Sequence, residues 1–351
     1  MAKTHRFGIV GGDGIGPEVC AEGVKALRAA MKKYGFAAEI IDYPCGADHY
    51  LKTKELISDA QFAEIKQLDG VLLGAIGDPR FEPGFLEFGI VGRLRFDLDL
   101  YVNLRPIKLY ADHLCPLKGK TTKDFDILVC RENTEDAYRT KPVFEKQGTP
   151  DESVTQNLWY TRKGCERIIR FAYARAMERR KKLTLVDKAN AIRAHDLWRR
   201  VFAEVGKEFP QVQQDFAYVD ACCMWMVKNP DGFDTIVTTN MFGDIITDLG
   251  AVLQGGLGIA AGGNIHPGKV SVFEPIHGSA PKYKGLKKAN PLATVLAVGM
   301  MLEHVGEKTA AKGLEDAVIR LLNSGKIKSI GTDSGIPTDR IGDLCVEEIS
   351  A

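Results

Sequence analysis

Two aspartates, Asp244 and Asp248, are spaced four residues apart in an otherwise apolar stretch that has the pattern of a helix beginning near Asn240. A helix that rises ~1.5 Å and turns ~100° per residue places both side chains on one face, a turn apart. Carboxylates this close repel each other unless a positive charge lies between them. Oxygen ligands on a rigid element suit a hard divalent cation such as Mg²⁺ or Mn²⁺. The alternative is that these acids only complement the dipole of the helix N-terminus.

A third carboxylate, Asp220, ends another predicted strand, Val212–Asp220, just as the predicted strand Phe233–Thr239 leads to Asp244. Carboxylates that follow neighbouring strands can complete an octahedral metal site together with water and substrate. These three aspartates are therefore candidate metal ligands.

Arginines are concentrated in the segment that precedes these strands. Several guanidinium groups that converge can hold a di- or tricarboxylate through paired N–H bonds. The alternative is a solvated basic helix face that pairs with Asp97 and Asp99. The arginines in question are Arg93, Arg95, Arg105 and Arg131.

The N-terminal region alternates predicted strands and helices, which indicates an α/β fold. Its first turn, Gly11–Gly16, follows a strand and precedes a helix that opens at Pro17, a layout that can cradle phosphates. The spacing is G-x-G-x-G, and no clear acidic residue follows about 20 positions later, so the Rossmann fingerprint is absent. A tight turn of purely structural purpose is the alternative.

Composition sets further bounds. A chain of 351 residues fits two domains, and its net charge of +1 gives no bulk attraction to nucleic acid or anionic membranes. Eight scattered cysteines without zinc-like spacing favour a reducing compartment. No apolar run approaches the ~20 residues of a membrane span, and the N-terminus has no signal-like apolar region. We therefore expect a cytoplasmic protein.

Six motifs in order resemble the β-decarboxylating dehydrogenases, the family of 3-isopropylmalate, isocitrate, homoisocitrate and tartrate/D-malate dehydrogenases. Each motif is weak alone, but their order and spacing cover essentially the whole chain. They are Gly-Asp-Gly-Ile-Gly-Pro-Glu, Tyr-Val-Asn-Leu-Arg-Pro, Arg-Glu-Asn-Thr-Glu, Asp-Lys-Ala-Asn, Gly-Asp-Ile-Ile-Thr-Asp-Leu and Phe-Glu-Pro-Ile-His-Gly-Ser-Ala-Pro.

The resemblance implies an isopropylmalate/isocitrate dehydrogenase-like α/β fold without a Rossmann domain. Residues 1–100 plus 256–351 would form a larger, discontinuous, cofactor-binding domain. Residues 101–255 would form a smaller domain with a dimerisation arm and the metal aspartates, and an active-site cleft would separate the two. Members of this family are homodimers or tetramers whose active sites borrow residues from the partner subunit.

The resemblance also implies roles for individual residues. Lys188, from the partner subunit, and Tyr138 would be the catalytic acid–base pair. Arg95, Arg105 and Arg131 would hold the substrate carboxylates. Asp244 and Asp248, with Asp220 of a partner chain, would hold Mg²⁺ or Mn²⁺. The cofactor-binding residues would be Ile15, Glu274, His277, Gly278, Ala280, Lys282, Tyr283 and Asn290.

The cofactor segment differs from that of NAD-using family members, which usually carry Asp-Ile where this chain has Lys282-Tyr283. A carboxylate would repel the 2′-phosphate of NADP⁺, whereas a lysine attracts it. The pair resembles that of NADP-dependent isocitrate dehydrogenases. We therefore expect NAD(P)⁺, with NADP⁺ favoured and NAD⁺ possible.

Substrate choice in this family depends on the segment before Arg95, which is apolar here and lacks the Ser-x-Asn of isocitrate enzymes. Val91 in this segment suits an isopropyl group and favours 3-isopropylmalate. Gly92, however, occupies a position that is usually aliphatic, and Arg131-Glu-Asn-Thr-Glu-Asp is more similar to isocitrate or homoisocitrate enzymes. A substrate with a charged γ-group, bound through Arg93, is therefore an alternative.

The alternatives within the class are isocitrate, homoisocitrate, tartrate and D-malate. From another class, the chain could be a non-catalytic regulatory homologue. Such homologues typically lack the catalytic lysine, the tyrosine or the metal aspartates, and all of these residues are present here.

Overall fold

The computed structural model describes residues 4–351. These residues divide into two compact units. Unit 1 runs to Leu100 and adds Lys108–Thr122 and Ala251–Ala351, and unit 2 comprises Tyr101–Ile107 and Lys123–Gly250.

Both units combine strands and helices, so the predicted α/β class is confirmed. The strands of the described residues are β1 (Thr4–Gly12), β2 (Ala37–Asp42), β3 (Gly70–Ala75), β4 (Val102–Lys108), β5 (Asp126–Glu132), β6 (Val143–Glu145), β7 (Ser153–Thr155), β8 (Lys182–Asp187), β9 (Gln213–Tyr218), β10 (Thr235–Thr238), β11 (Ala261–Ile265) and β12 (Val272–Pro275).

Two short α-helices, Phe85–Glu87 and Arg93–Asp97, are joined without a break by a π-helical turn, Phe88–Gly92. The helices are α1 (Gly16–Tyr34), α2 (Ala47–Thr53), α3 (Asp59–Ile65), α4 (Phe85–Glu87), α5 (Arg93–Asp97), α6 (Arg162–Met177), α7 (Asp196–Gly206), α8 (Val219–Lys228), α9 (Asn240–Leu253), α10 (Leu292–His304), α11 (Lys308–Asn323) and α12 (Thr338–Ser350).

Unit 1 is built on the strand order β2-β1-β3-β12-β11, in which only the β11–β12 pairing is antiparallel. Strand β3 is buried along its whole length, and nearly every residue of α10 is buried as well. Helix α1 packs against α10 and α12. Pro17 opens α1, and Gly35 ends it with a left-handed φ of 75°, which glycine adopts without strain.

Unit 2 has the strand order β4-β5-β10-β8-β9, and β5, β10, β8 and β9 are parallel to one another. Helix α6 lies against β5, β8 and β10. Parallel strands end at a common edge, so the residues that follow them are neighbours. This edge collects Arg131 at the end of β5, Lys188 after β8, Asp220 after β9 and Asn240 after β10.

One predicted strand ends earlier than expected. The sequence pattern indicates a strand from Val212 to Asp220, but β9 ends at Tyr218 and Asp220 lies in the first turn of α8. The reason is that Cys222 and Met226, four residues apart, are buried on one face of a helix.

The structure also bears on membrane insertion: of the helices in residues 4–351, none combines the length and apolar character needed to cross a bilayer.

Two helix glycines give a matched test of the packing of unit 1. A Cβ at Gly23 in α1 would lie 2.8 Å from Cγ2 of Thr294, whereas a Cβ at Gly299 in α10 would meet nothing nearer than 3.6 Å. Alanine favours a helix over glycine by ~1 kcal/mol. We expect Gly299→Ala to stabilise the protein by up to this amount, and Gly23→Ala to destabilise it by ~1–3 kcal/mol through overpacking.

Urea or thermal unfolding of the two variants measures this difference. Equal stabilisation by both substitutions would show that α1 does not pack closely against α10 at Gly23.

Candidate active site

A buried arginine organises the site residues of unit 2. Arg131, in β5, is almost completely buried, and its Nη1 donates to Oδ1 of Asp244 at 2.5 Å. The hydroxyl of Tyr138 donates to the other oxygen of the same carboxylate at 3.0 Å. The structure thus brings together a predicted substrate ligand, a predicted metal ligand and the predicted catalytic tyrosine.

Asn240, the first residue of α9, fixes the plane of this guanidinium. Its Oδ1 accepts from Nε and Nη2 of Arg131 at 3.0 and 2.7 Å, and its Nδ2 donates to the carbonyl of Glu135 at 3.0 Å. A Cβ at Gly243 would lie 2.4 Å from Cγ of Arg131, so the helix passes the arginine at a residue without a side chain. Sequence reasoning missed Asn240, because an asparagine that opens a helix is usually explained as a cap.

The surroundings of Asp244 and Asp248 shift the pKa values of the two carboxyl groups in opposite directions. Burial alone would raise the pKa of Asp244, but the positive charge of Arg131, the Tyr138 hydrogen bond and Arg105 lower it. Burial and the charge of Asp244 raise the pKa of Asp248. Asp244 and Asp248 therefore carry a repulsion that a divalent cation would relieve, and their donor oxygens suit Mg²⁺ or Mn²⁺.

A second buried arginine shares this environment. Arg105, in β4, donates from Nε to Oδ1 of Asn103 at 2.8 Å, and its charge acts on both Asp244 and Asp248. Two guanidinium groups near two carboxylates give an edge that can bind an anionic substrate as well as a cation. Arg95, the third predicted substrate arginine, lies on α5 in unit 1.

Tyr138 is suited to donate a proton. It lies in a 3-10 turn, Ala137–Arg139, and is about one-third exposed. Burial, followed by the charge and hydrogen bond of Asp244, raises the pKa of Tyr138 to about 12. Its hydroxyl is therefore protonated at neutral pH, as a general acid must be.

Lys188 and Asp220 form a separate pair. The Lys188 Nζ donates to Oδ1 of Asp220 at 2.5 Å, and this hydrogen bond lowers the pKa of the exposed carboxyl. Asp220 therefore bonds to Lys188 in its own chain. Within residues 4–351, no three His, Cys, Asp or Glu side chains are grouped closely enough to hold a metal ion.

The predicted cofactor residues of unit 1 lie around a small apolar cluster. Ile15 packs with Val19 and Ala289, and Ala280 and Tyr283 cover them. The Ile15 N–H donates to the carbonyl of Ser279 at 2.9 Å, which joins the first glycine turn to the later loop. Gly14 permits this approach, because a Cβ there would lie 1.8 Å from the Ser279 oxygen.

Two buried polar atoms beside this cluster lack partners in the described part of the chain: Nε2 of His277 and Nδ2 of Asn290. Burial lowers the pKa of His277, which favours its neutral form. Buried polar groups of native proteins are normally hydrogen-bonded, so two such groups near one apolar cluster fit a ligand with complementary polar edges, such as an adenine ring. Glu274 is already engaged, because its Oε1 accepts from Nδ2 of Asn264 at 2.8 Å.

Lys282 and Tyr283 form a cationic edge to the same cluster. The Lys282 Nζ lies 4.9 Å from the centroid of the Tyr283 ring. A hydrogen bond from Thr332 and the charge of Lys282 lower the pKa of Tyr283. Gly278 is exposed, and a Cβ there would meet no atom within 4 Å. This edge is open to a charged group.

The predicted specificity segment contains the π-helical turn. Ile90 is part of the buried core and Val91 packs against it. The Arg93 guanidinium donates to the carbonyl of Ile57 and to Oδ1 of Asp59, both at 2.5 Å, and lies 4.6 Å from the centroid of the Phe62 ring. Its charge is therefore compensated within unit 1.

The fold and these side chains are typical of an oxidoreductase that uses a divalent metal and a nicotinamide cofactor. The sequence model of the family described as "Isocitrate/isopropylmalate dehydrogenase" matches residues 7–344. The chain belongs to this family and is a β-decarboxylating dehydrogenase, which confirms the resemblance identified from the motifs.

Known proteins resemble the chain over its full length. It is 46% identical to the "3-isopropylmalate dehydrogenase" of Thermobifida fusca, with 99% of each chain covered. It is 43% identical to the protein of the same name from Corynebacterium aurimucosum, covering 99% of this chain and all of that one. A solved structure of isocitrate dehydrogenase from Methylococcus capsulatus superposes with a TM-score of 0.88 at 34% identity, covering 99% and 100% of the two chains.

Replacing Asn240 tests its hold on Arg131. Asn240→Ala leaves two buried guanidinium N–H groups without their acceptor, which costs ~1–3 kcal/mol of stability. We also expect KM for the substrate to rise about tenfold, because Arg131, a predicted ligand of the substrate carboxylates, is no longer fixed for bidentate binding.

Asn323→Ala is the control, since that amide also donates to backbone carbonyls but its bonds lie within unit 1 and involve no arginine. Steady-state kinetics and thermal melts compare the two. An unchanged KM in a folded Asn240→Ala protein would contradict the positioning role.

Proposed function

We propose that the chain oxidises and decarboxylates (2R,3S)-3-isopropylmalate to 4-methyl-2-oxopentanoate (2-oxoisocaproate) with reduction of NAD(P)⁺, a step of leucine biosynthesis in the cytoplasm. The observation that carries the choice of substrate is the anchored guanidinium of Arg93. Support comes from relatives of that name that are 42–46% identical to the chain. Eight free cysteines agree with a reducing compartment.

The argument from Arg93 concerns the group at the γ-position of the substrate. Nη1 and Nη2 of Arg93 already donate to the Ile57 carbonyl and to Asp59, and the guanidinium lies over the Phe62 ring, so a γ-carboxylate would have to replace these contacts. Because Asp59 is exposed, the ion pair itself contributes little, and the cost of releasing Arg93 comes from its bond to Ile57 and its contact with Phe62. The other residues of the segment are uncharged, and Val91, which is only partly buried, suits an isopropyl group.

We assign the following roles to this chain's residues. Arg95, Arg105 and Arg131 bind and orient the two carboxylates of the substrate. Lys188, from a second copy of the chain, accepts the proton of the C2 hydroxyl on Nζ as hydride leaves C2 for the nicotinamide. After CO₂ departs, Tyr138 returns a proton from its hydroxyl to the carbon of the enol.

A divalent cation fits the carboxylates of Asp244 and Asp248, with Asp220 supplied by a second copy of the chain. When bound, it lowers the pKa of the substrate hydroxyl and stabilises the negative charge of the enolate.

A homodimer with shared sites is supported by two features of unit 2. Lys188 and Asp220 are paired with each other, whereas Tyr138 is paired with Asp244. Large apolar side chains are also exposed, and larger exposed apolar patches mark interaction surfaces. These side chains are Val143, Phe144 and Val154 on the β6–β7 hairpin, Met224, Trp225 and Val227 on α8, and Ile245 on α9.

Isocitrate is the second candidate substrate. It is supported by the structural similarity to the isocitrate dehydrogenase of Methylococcus capsulatus and by the segment Arg131-Glu-Asn-Thr-Glu-Asp136. In that case a residue other than Arg93 would bind the γ-carboxylate.

The substrate test compares kcat/KM for 3-isopropylmalate and isocitrate in Mn²⁺ buffer. We expect 3-isopropylmalate to be favoured by ~100-fold or more, about 2.7 kcal/mol of transition-state discrimination. Chelated enzyme and Asp244→Asn are controls that should lose metal-dependent turnover. A preference for isocitrate would overturn the choice of substrate but leave the family unchanged.

The cofactor test replaces both Lys282 and Tyr283. We propose that this edge binds the 2′-phosphate of NADP⁺, because Lys282 forms no ion pair within residues 4–351 and is exposed. Lys282→Asp combined with Tyr283→Ile should lower the NADP⁺/NAD⁺ ratio of kcat/KM at least tenfold. Lys308→Asp, the same charge change at an exposed residue of α11, should leave the ratio unchanged. A constant ratio in the double variant would refute the assignment.

A further inference from the structure

Lys188 and Asp220 lie at the ends of two neighbouring strands. Strands β8 and β9 are parallel, and their last residues, Asp187 and Tyr218, are register partners. Lys188 follows β8 directly, and Asp220 lies two residues after β9, in the first turn of α8. Their side chains meet in a hydrogen bond of 2.5 Å. One chain therefore carries both groups at a single edge, and the proposed function assigns both to the active site of a second copy.

Arg199, in α7, contacts both of these strand ends. Its Nε and Nη2 donate to Oδ2 and Oδ1 of Asp187 at 2.6 and 3.0 Å. Its Cζ lies 5.2 Å from the centroid of the Tyr218 ring. The guanidinium fork thus holds the end of β8 through a carboxylate, and its flat face contacts the end of β9 through an aromatic ring.

The carboxylate of Asp187 depends on this bond, because its side chain is completely buried. A buried carboxylate is stable only where a cation and further hydrogen-bond donors surround it. Besides Arg199, the N–H of Ala189 donates to Oδ1 of Asp187 at 3.0 Å. The same carboxylate therefore fixes the backbone on both sides of Lys188.

The start of α7 also holds the backbone of Lys188 itself. The Lys188 N–H donates to Nδ1 of His195 at 2.9 Å, and His195 is completely buried. His195 and Arg199 are four residues apart, so they reach the turn from the same side of α7. Three successive residues, 187 to 189, are thus each held by a hydrogen bond, while the side chain of Lys188 bonds to Asp220.

We infer that Arg199 is a positioning residue that presents Lys188 and Asp220 together to the active site of a second copy of the chain. The inference rests on the proposed function, in which Lys188 accepts a proton and Asp220 binds the cation. Arg199 acts through the ends of β8 and β9 and is assigned no contact with substrate or metal. A misplacement of about 1 Å can cost an enzyme ~10²-fold in rate, so the loss of this positioning is measurable.

Two substitutions weaken the contacts of Arg199 in different ways. Arg199→Lys keeps a positive charge beside Asp187, but a lysine has neither a planar fork for two carboxylate oxygens nor a flat face for an aromatic ring. Tyr218→Leu removes the aromatic contact and leaves the bond to Asp187 in place. Thermal melts establish that each variant is folded before it is compared with the unmodified protein.

Arg170→Lys is the matched control. Arg170, in α6, also bonds both oxygens of one carboxylate, with Nη1 and Nη2 donating to Glu208 at 2.5 and 3.0 Å. Its other hydrogen bond in the described part of the chain goes to Glu166, one turn earlier. The control therefore loses the same kind of fork without a bond to the turn of Lys188.

Hydrogen–deuterium exchange gives a readout that requires neither metal nor turnover. We expect Arg199→Lys to speed exchange in the peptide that contains Lys188 and in the one that contains Tyr218 and Asp220, because both strand ends lose a contact. Tyr218→Leu should affect mainly the second peptide, and Arg170→Lys neither. Unchanged exchange in either peptide of folded Arg199→Lys would overturn the inference.

Kinetics with Mn²⁺ separates positioning from a general loss of folded protein. A smaller folded fraction lowers kcat but leaves the Mn²⁺ concentration of half-maximal activity unchanged. We expect Arg199→Lys to lower kcat about tenfold and to raise that concentration about tenfold, because Lys188 and Asp220 are both misplaced. Arg170→Lys should change neither quantity. An unchanged half-activating Mn²⁺ concentration in Arg199→Lys would contradict the positioning role.

A heterodimer shows which copy Arg199 serves. Co-expressed chains with different tags allow the heterodimer of Arg199→Lys and Tyr138→Phe to be purified. One of its two sites combines an intact Tyr138 with Lys188 and Asp220 from the chain that keeps Arg199, so we expect about half of the unmodified activity. If Arg199 served the site of its own chain, both sites would carry a defect. Activity would then be about one-twentieth, and the inference would be wrong.

The heterodimer of Lys188→Met and Tyr138→Phe separates this inference from the proposed function. It should also have about half of the unmodified activity, since one of its sites is intact. An inactive heterodimer would refute the shared site, and with it the presentation of Lys188 to a second copy. Activity of this heterodimer, combined with about one-twentieth in the Arg199→Lys heterodimer, would refute the role of Arg199 alone.

Discussion

The site of unit 2 depends on one buried positive charge. Arg131 ends inside the protein, and an uncompensated charge there would cost several kcal/mol. Asn240 and Asp244 supply the compensation, and both lie on the first turns of α9. The absence of a side chain at Gly243 lets the helix approach the arginine closely enough for these bonds. The position of α9, and with it the position of the aspartate pair, follows from this requirement.

The carboxylate of Asp244 bonds to two different groups through its two oxygen atoms. One oxygen of Asp244 pairs with a permanent cation, and the other accepts from a phenol whose proton is retained at neutral pH. Burial, and then the charge of Asp244 one turn earlier, raise the pKa of Asp248. An arrangement in which two carboxylates differ in pKa and face buried arginines is suited to bind a cation and an anion together.

Unit 1 shows how side-chain partners decide between functions that the sequence leaves open. Arg93 has the residue type needed for a substrate carboxylate, but its bonds to Ile57 and Asp59 direct it into its own unit. Conversely, the sequence suggests His277 and Asn290 as cofactor residues only by resemblance, and their buried, unpartnered nitrogen atoms mark the edge of a candidate cofactor site in the described chain. A residue type indicates what a side chain can do, and its partners decide what it does.

The sequence by itself determined the family, the α/β class and the helix that carries Asp244 and Asp248, because the order of motifs and local periodicity are properties of the chain alone. It misplaced Asp220 in a strand, since a short apolar segment fits either periodicity. Only the tertiary structure decided that Asn240 orients Arg131 and that His195 supports Lys188. These contacts join residues that are distant in the chain or lie on separate elements, and the packing of strands and helices alone determines which of them meet.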